Sequence, residues 1–123
     1  MSARDEQLVR DFCAAWRRRN IEELVGFFTA DAVYHNMPMA AVRGHDGIRK
    51  VLESYVPPAQ EIEFEVVNLA SAGSVVFTER VDRFLMGGKK VELPVAGVFE
   101  IQDDKIAAWR DYFDIQTWMR QTS

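Results

Sequence analysis

Residues 75–113, VVFTERVDRFLMGGKKVELPVAGVFEIQDDKIAAWRDYF, decide the fold. Apolar and polar side chains alternate through Val75 to Met86, Lys89 to Ile101 and Lys105 to Phe113, the two-residue period of half-buried β-strands. Gly87-Gly88 is a tight hairpin signal and Asp103-Asp104 marks the next turn. Loops this short leave no room for a crossover, so successive strands pair antiparallel as a meander.

Upstream, Glu61 to Ala70 carries the same period, and Gly73 with its small neighbours turns the chain into Val75. Before Pro57-Pro58 the period is 3.6. Leu8, Phe12, Ala15 and Trp16, then Ile21, Leu24, Val25, Phe27 and Phe28, recur at three- and four-residue spacings from Glu6 onward. They predict two packed helices, with Asn20 able to end one and cap the next. Thr29 to Asp31 reads as a turn into a strand at Ala32 to Met37. Arg43 to Gly47 is a loop containing His45, from which Asp46 can cap a third helix with Ile48, Val51, Leu52 and Tyr55 on its inner stripe; Pro57-Pro58 stops it. Ile115 to Gln121 adds a short closing helix. The expectation is one α+β domain over residues 1–123, a curved mixed or antiparallel sheet of four or five strands packed on three N-terminal helices. Three helices cannot cover both faces of such a sheet, so a concavity opens between helices and strands.

Both faces of Val75 to Leu85 are apolar, with Phe77, Val81 and Leu85 opposite Val76 and Phe84. A sheet face of that kind asks for a partner, and a homodimer is expected. With 123 residues, 48% of them hydrophobic, and a formal net charge of -4, the chain offers no basic stripe for nucleic acid. Arg17, Arg18 and Arg19 read as the solvated end of a helix. Cys13 is the single cysteine, so no intrachain disulfide forms, and between Phe12 and Ala14 it suits a small buried hydrophobe. Met1 to Glu6 is polar, and no segment approaches the roughly 18 apolar residues of a membrane span. A cytoplasmic protein is expected.

Three pairs at i and i+2 within strand segments bear polar groups: Tyr34 and Asn36, Arg80 and Asp82, Trp109 and Asp111. Members of each pair share a face. If all three face the concavity, Asp82 and Asp111 flank the Arg80 guanidinium, whose five donors can serve both acids. Burial and a neighbouring carboxylate raise a carboxyl pKa while the guanidinium lowers it, so one acid alone retains a proton near neutrality. One acid and one base then stand side by side, with Tyr34 and Asn36 able to orient a water. Trp109, Phe84, Leu93, Val95, Phe113, Trp16, Phe28 and Tyr55 are the candidate apolar lining, with Trp118 and Met119 beside them. His35 is assigned to structure or surface. With two separated histidines and no cysteine partner, no metal is expected, and no serine or cysteine motif supports covalent acyl chemistry. On the opposite face of the same strand, Glu79 and Arg83 are candidates for ordinary surface ion pairs.

The segments Tyr34-His35-Asn36-Met37-Pro38, Arg80-Val81-Asp82, Leu93 to Glu100 and Trp109-Arg110-Asp111-Tyr112-Phe113 resemble the limonene-1,2-epoxide hydrolases, which share the cone-shaped nuclear transport factor 2-like fold. The resemblance spans roughly residues 5 to 115. It implies cofactor-free, one-step addition of water to a lipophilic epoxide, terpene-like or cyclic, giving a vicinal diol. By the same resemblance Asp111 is the general base, Tyr34 and Asn36 hold the water, Asp82 is the general acid and Arg80 bridges the acids. Two rival readings are a SnoaL-like or ketosteroid isomerase-like enzyme using one Asp, and a non-catalytic binder of a hydrophobic small molecule.

Overall fold

The computed structural model describes residues 2–123, and the reading of Met1 lies outside them. The helix α1 (Ser2–Ala15) starts ahead of the expected Glu6, because Ala3, Arg4 and Gln7 are strong helix formers and Asp5 lies at the positive end of the helix dipole. Val9, Phe12, Cys13 and Ala15 form its buried stripe. A single 3-10 turn, Trp16–Arg18, follows and ends at Arg19, held at φ 51° with its N–H bonded to the Trp16 carbonyl. The Arg19 guanidinium also donates to the Ala59 carbonyl at 2.9 Å. Asn20 caps α2 (Ile21–Val25), its side chain accepting from Glu23 N.

The second helix stops at Val25, and Phe28 opens strand β1 (Phe28–Asn36) rather than ending a helical stripe. The Ile106 N–H takes the Phe27 carbonyl at 2.8 Å, so pairing with a distant strand wins over local helix propensity. A two-residue strand, β2 (Val42–Arg43), has no sequence signal. His45 is likewise helical, not in a loop: α3 (Gly44–Tyr55) starts before Asp46, with Arg43 at the cap position and Asp46 in the first turn. Asp46 pairs with Arg49 one turn on, while His45 Nε2 lies 3.0 Å from the Phe28 carbonyl.

The remaining strands are β3 (Ala59–Ala72), β4 (Val75–Met86), β5 (Lys89–Gln102) and β6 (Lys105–Tyr112), and α4 (Ile115–Thr122) closes the chain. Six strands form one unclosed mixed sheet in the order β2-β1-β6-β5-β4-β3, with β1 and β6 parallel and every other pair antiparallel. The meander from β3 to β6 matches the sequence reading; the parallel β1–β6 contact is the element that short loops could not announce. Irregular register within β3 at Ala59/Glu61 and Val66/Asn68 bends the long strands around the helices.

Phe12 is the hub of the core, edge-on to Trp16, Phe27, Phe28, Phe99 and Trp109 at 5.0–6.0 Å. It ties α1 to β1, β5 and β6, and truncating such a ring typically costs about 3–5 kcal/mol. On the convex face Phe77 and Tyr112 are 44% and 47% exposed. There Arg83 pairs with Glu65 and Glu92, and Glu79 accepts from Asn68.

Candidate active site

Thr78, Arg80, Asp82 and Phe84 alternate along β4 on its buried face, as do Trp109 and Asp111 on β6. Register brings the polar pairs together. Tyr34 lies beside Trp109 and Asn36 beside Asp111 across the parallel β1–β6 pair, while Gly97 of β5 lies opposite both Thr78 of β4 and Asp111 of β6. Arg80 and Asp111 therefore stand two strands apart, about 10 Å at ordinary strand spacing. The guanidinium crosses that gap because Gly97 has no side chain. A Cβ at Gly97 would stand 2.4 Å from Arg80 Nη1 and 2.8 Å from both Asp111 Oδ1 and Thr78 Oγ1.

All five Arg80 donors are used. Nε and Nη2 donate to Asp82 at 3.0 and 2.8 Å, Nη1 and Nη2 donate to Asp111 at 3.1 and 2.7 Å, and Nη1 also donates to Thr78 Oγ1 at 3.1 Å. The planar cation lies 5.0 Å from the Phe64 ring centroid and 5.9 Å from that of Trp109, so apolar rings cover what the carboxylates leave open. Burial pulls the Arg80 pKa down, but Asp111 and Asp82 more than reverse this and hold it well above its ordinary value. It remains a permanent cation.

The two acids differ. Asp111 accepts a third hydrogen bond, from Trp109 Nε1 at 2.7 Å, whereas among the described residues Arg80 alone donates to Asp82. Burial pushes Asp82 up to about 6; Arg80 opposes the rise and Asp111 adds to it. A carboxyl in that range retains a proton in a useful fraction of molecules near neutrality. Tyr34 stacks on Trp109 at 4.3 Å, Asn36 Nδ2 donates to its hydroxyl at 2.9 Å, and the Tyr55 hydroxyl is 2.9 Å away. Burial raises the pKa of both phenols, so both carry their protons.

Asp82, Asp111, Tyr34 and Asn36 face a cavity of about 420 Å³ whose walls include Tyr55, Phe84, Leu93, Val95 and Phe113. Trp118 of α4 roofs it, edge-on to Phe84 at 5.1 Å, and Gln121 ties that helix to the backbone of Glu92. Three residues read from sequence as lining, Trp16, Phe28 and Trp109, are buried behind this wall rather than on its surface. Trp16 backs Phe64 at 4.4 Å. Met119 is exposed and also off the cavity. The sequence reading missed Phe64, Met39, Met86 and Ile115 among the lining, together with Thr78 and Gly97 beneath the cation. Gly97 did carry a signal, since a glycine inside a β-branched strand marks a close approach. His35 bonds the Met39 carbonyl. Among the described residues no cluster of His, Cys, Asp and Glu is arranged to hold a metal, and no helix is long and apolar enough to cross a membrane.

The family model described as limonene-1,2-epoxide hydrolase catalytic domain matches residues 3–123. Epoxide hydrolase EphG of Mycobacterium tuberculosis (strain ATCC 25618 / H37Rv) is 30% identical over 107 residues, covering 87% of this chain and 71% of that protein. Among solved structures, an M. tuberculosis LEH-like epoxide hydrolase superimposes with a TM-score of 0.85 at 26% identity, covering 98% of this chain and 90% of the other. A hypothetical protein with a ketosteroid isomerase-like fold from Catenulispora acidiphila DSM 44928, solved with trimethylamine, gives 0.84 at 21% identity, covering 94% and 91%. That likeness is one of fold.

Proposed function

This chain belongs to the limonene-1,2-epoxide hydrolase family, and from that premise we propose that it adds water in one step to a lipophilic epoxide, cyclic or terpene-like, and releases a vicinal diol. The observation that carries the reading is the buried guanidinium shared by two unequally bonded acids. In the proposed step a water held by Tyr34 and Asn36 gives a proton to Asp111 while its oxygen attacks an epoxide carbon. The carbon–oxygen bond of the ring breaks, and Asp82 delivers its proton to the departing oxygen. Asp111 ends protonated and Asp82 ionised, and one proton returned between them through solvent resets the pair. Arg80 binds both acids throughout, and because Asp111 gains one proton as Asp82 gives one up, the charge of the triad is the same before and after the step. Each proton transfer of this kind contributes about 10²- to 10⁴-fold in rate.

The apolar walls support a lipophilic substrate, because few polar groups would remain to repay desolvation of a polar one. Phe77 and Tyr112, exposed on the convex face, support a homodimer, and a lone buried cysteine suits the reducing cytoplasm. The ketosteroid isomerase-like and SnoaL-like alternative would move a proton beside a carbonyl with one Asp, leaving the guanidinium shared by two acids without a role.

Diol formation from a panel led by cyclohexene oxide and styrene oxide tests the reading. Asp82→Asn and Asp111→Asn are each expected to lower kcat by at least about 10³-fold with the fold intact. Full activity in either variant removes that acid from the mechanism. Thermal stabilisation by these epoxides without any diol would favour the non-catalytic binder.

A further inference from the structure

Tyr55 entered the sequence reading as apolar lining, yet its hydroxyl is one of two partners of the Tyr34 hydroxyl. The Tyr34 oxygen has two lone pairs and one proton. Asn36 Nδ2 donates to one lone pair at 2.9 Å. The Tyr55 hydroxyl, 2.9 Å away, either fills the second lone pair or takes the proton. The needs of the nucleophilic water separate these cases. Its two protons go to acceptors, and the pocket offers Asp111 and the Asn36 Oδ1, since Asn36 has turned its Nδ2 toward Tyr34. Its oxygen must keep one lone pair for the epoxide carbon and can accept one hydrogen bond with the other. Tyr34 supplies that bond only if its proton points into the cavity, which requires Tyr55 to donate to Tyr34.

We infer that Tyr55 is a positioning residue, whose hydroxyl fills the last lone pair of Tyr34 and so commits the Tyr34 proton to the reacting water. Two independent features hold it in place. Tyr55 is the last residue of α3, whose end is closed by Val56 N–H bonded to the Leu52 carbonyl. Its ring lies parallel to Trp16 at 6.0 Å and edge-on to Phe84 at 6.1 Å. Neither ring contact involves the hydroxyl, so Tyr55→Phe removes the donor and leaves the packing.

The inference rests on the hydrolase reading above. Steady-state hydrolysis of cyclohexene oxide by Tyr55→Phe is expected to show kcat lowered about tenfold with KM within about twofold of the parent. Affinity for the diol product and the melting temperature stay unchanged. Because Tyr55 acts through Tyr34, adding Tyr55→Phe to Tyr34→Phe should change kcat by less than about twofold. A lining role moves different quantities. Unchanged kcat in Tyr55→Phe, a raised KM at full kcat, or an undiminished effect on the Tyr34→Phe background would each overturn the inference while the hydrolase reading stands. A parent chain that hydrolyses no epoxide of the panel would instead overturn the hydrolase reading, and this inference with it.

Discussion

Two aspartates on one guanidinium are distinguished by what else they touch. Trp109 gives Asp111 an extra donor; among the described residues Asp82 has none beyond Arg80, and burial lifts its pKa from 3.8 to about 6. A general acid works while protonated, so kcat/KM should fall as pH rises through about 6, the value burial sets for Asp82. An activity that stays flat across that value would deny Asp82 the role. The same shift has a stability sign. A carboxyl whose folded pKa is raised stabilises the fold fully below 3.8, and the contribution disappears as pH climbs through about 6. Urea unfolding of Asp82→Asn should lack this declining limb when compared with the parent; an identical pH dependence in the two would mean the shift is absent. At this scale the i, i+2 spacing in β-strands made Arg80, Asp82, Trp109 and Asp111 legible. The Trp109 N–H on Asp111 and the Tyr55 hydroxyl on Tyr34 were not, because spacing gives a face and not the direction of a donor.

Strands legible from period and turn residues were those whose partners are neighbours in sequence. Gly87-Gly88 and Asp103-Asp104 sit where β4 turns into β5 and β5 into β6. By contrast, β1 pairs in parallel with β6, a contact across most of the chain that also cut α2 short at Val25 and drew Phe28 into the sheet. That pairing is what puts Asn36 next to Asp111. Gly97 matters equally, since it is the opening through which β4 reaches β6. Gly97→Ala should leave strand register intact, because the crowded atoms are side-chain ends, yet displace Arg80 from Asp111. Turnover is expected to fall about 10²-fold, the usual penalty for moving catalytic groups by about an ångström, and the melting temperature should fall with it, because a fully buried cation loses one of its two acids. Near-normal turnover would mean that the cation reaches Asp111 without needing the glycine.

The whole molecule is a curved sheet with one face spent on helices and cavity and the other open. Phe77 and Tyr112 stand on that open face at 44% and 47% exposure, with Val81 of β4 beside Phe77 and with Val98 and Ala96 of the intervening β5 opposite Phe77 and Tyr112. Sedimentation should give the mass of two chains, and Phe77→Glu with Tyr112→Glu should give one; a single-chain mass for the parent would remove the dimer. Within each chain, the chemistry comes down to which atom attacks the epoxide. Single-turnover hydrolysis with enzyme in excess, in water labelled with oxygen-18, separates the possibilities by mass spectrometry of the diol. Water activated by Asp111 puts one labelled oxygen into the diol in the first turnover; an unlabelled first-turnover diol would mean that a carboxylate of the protein attacked instead.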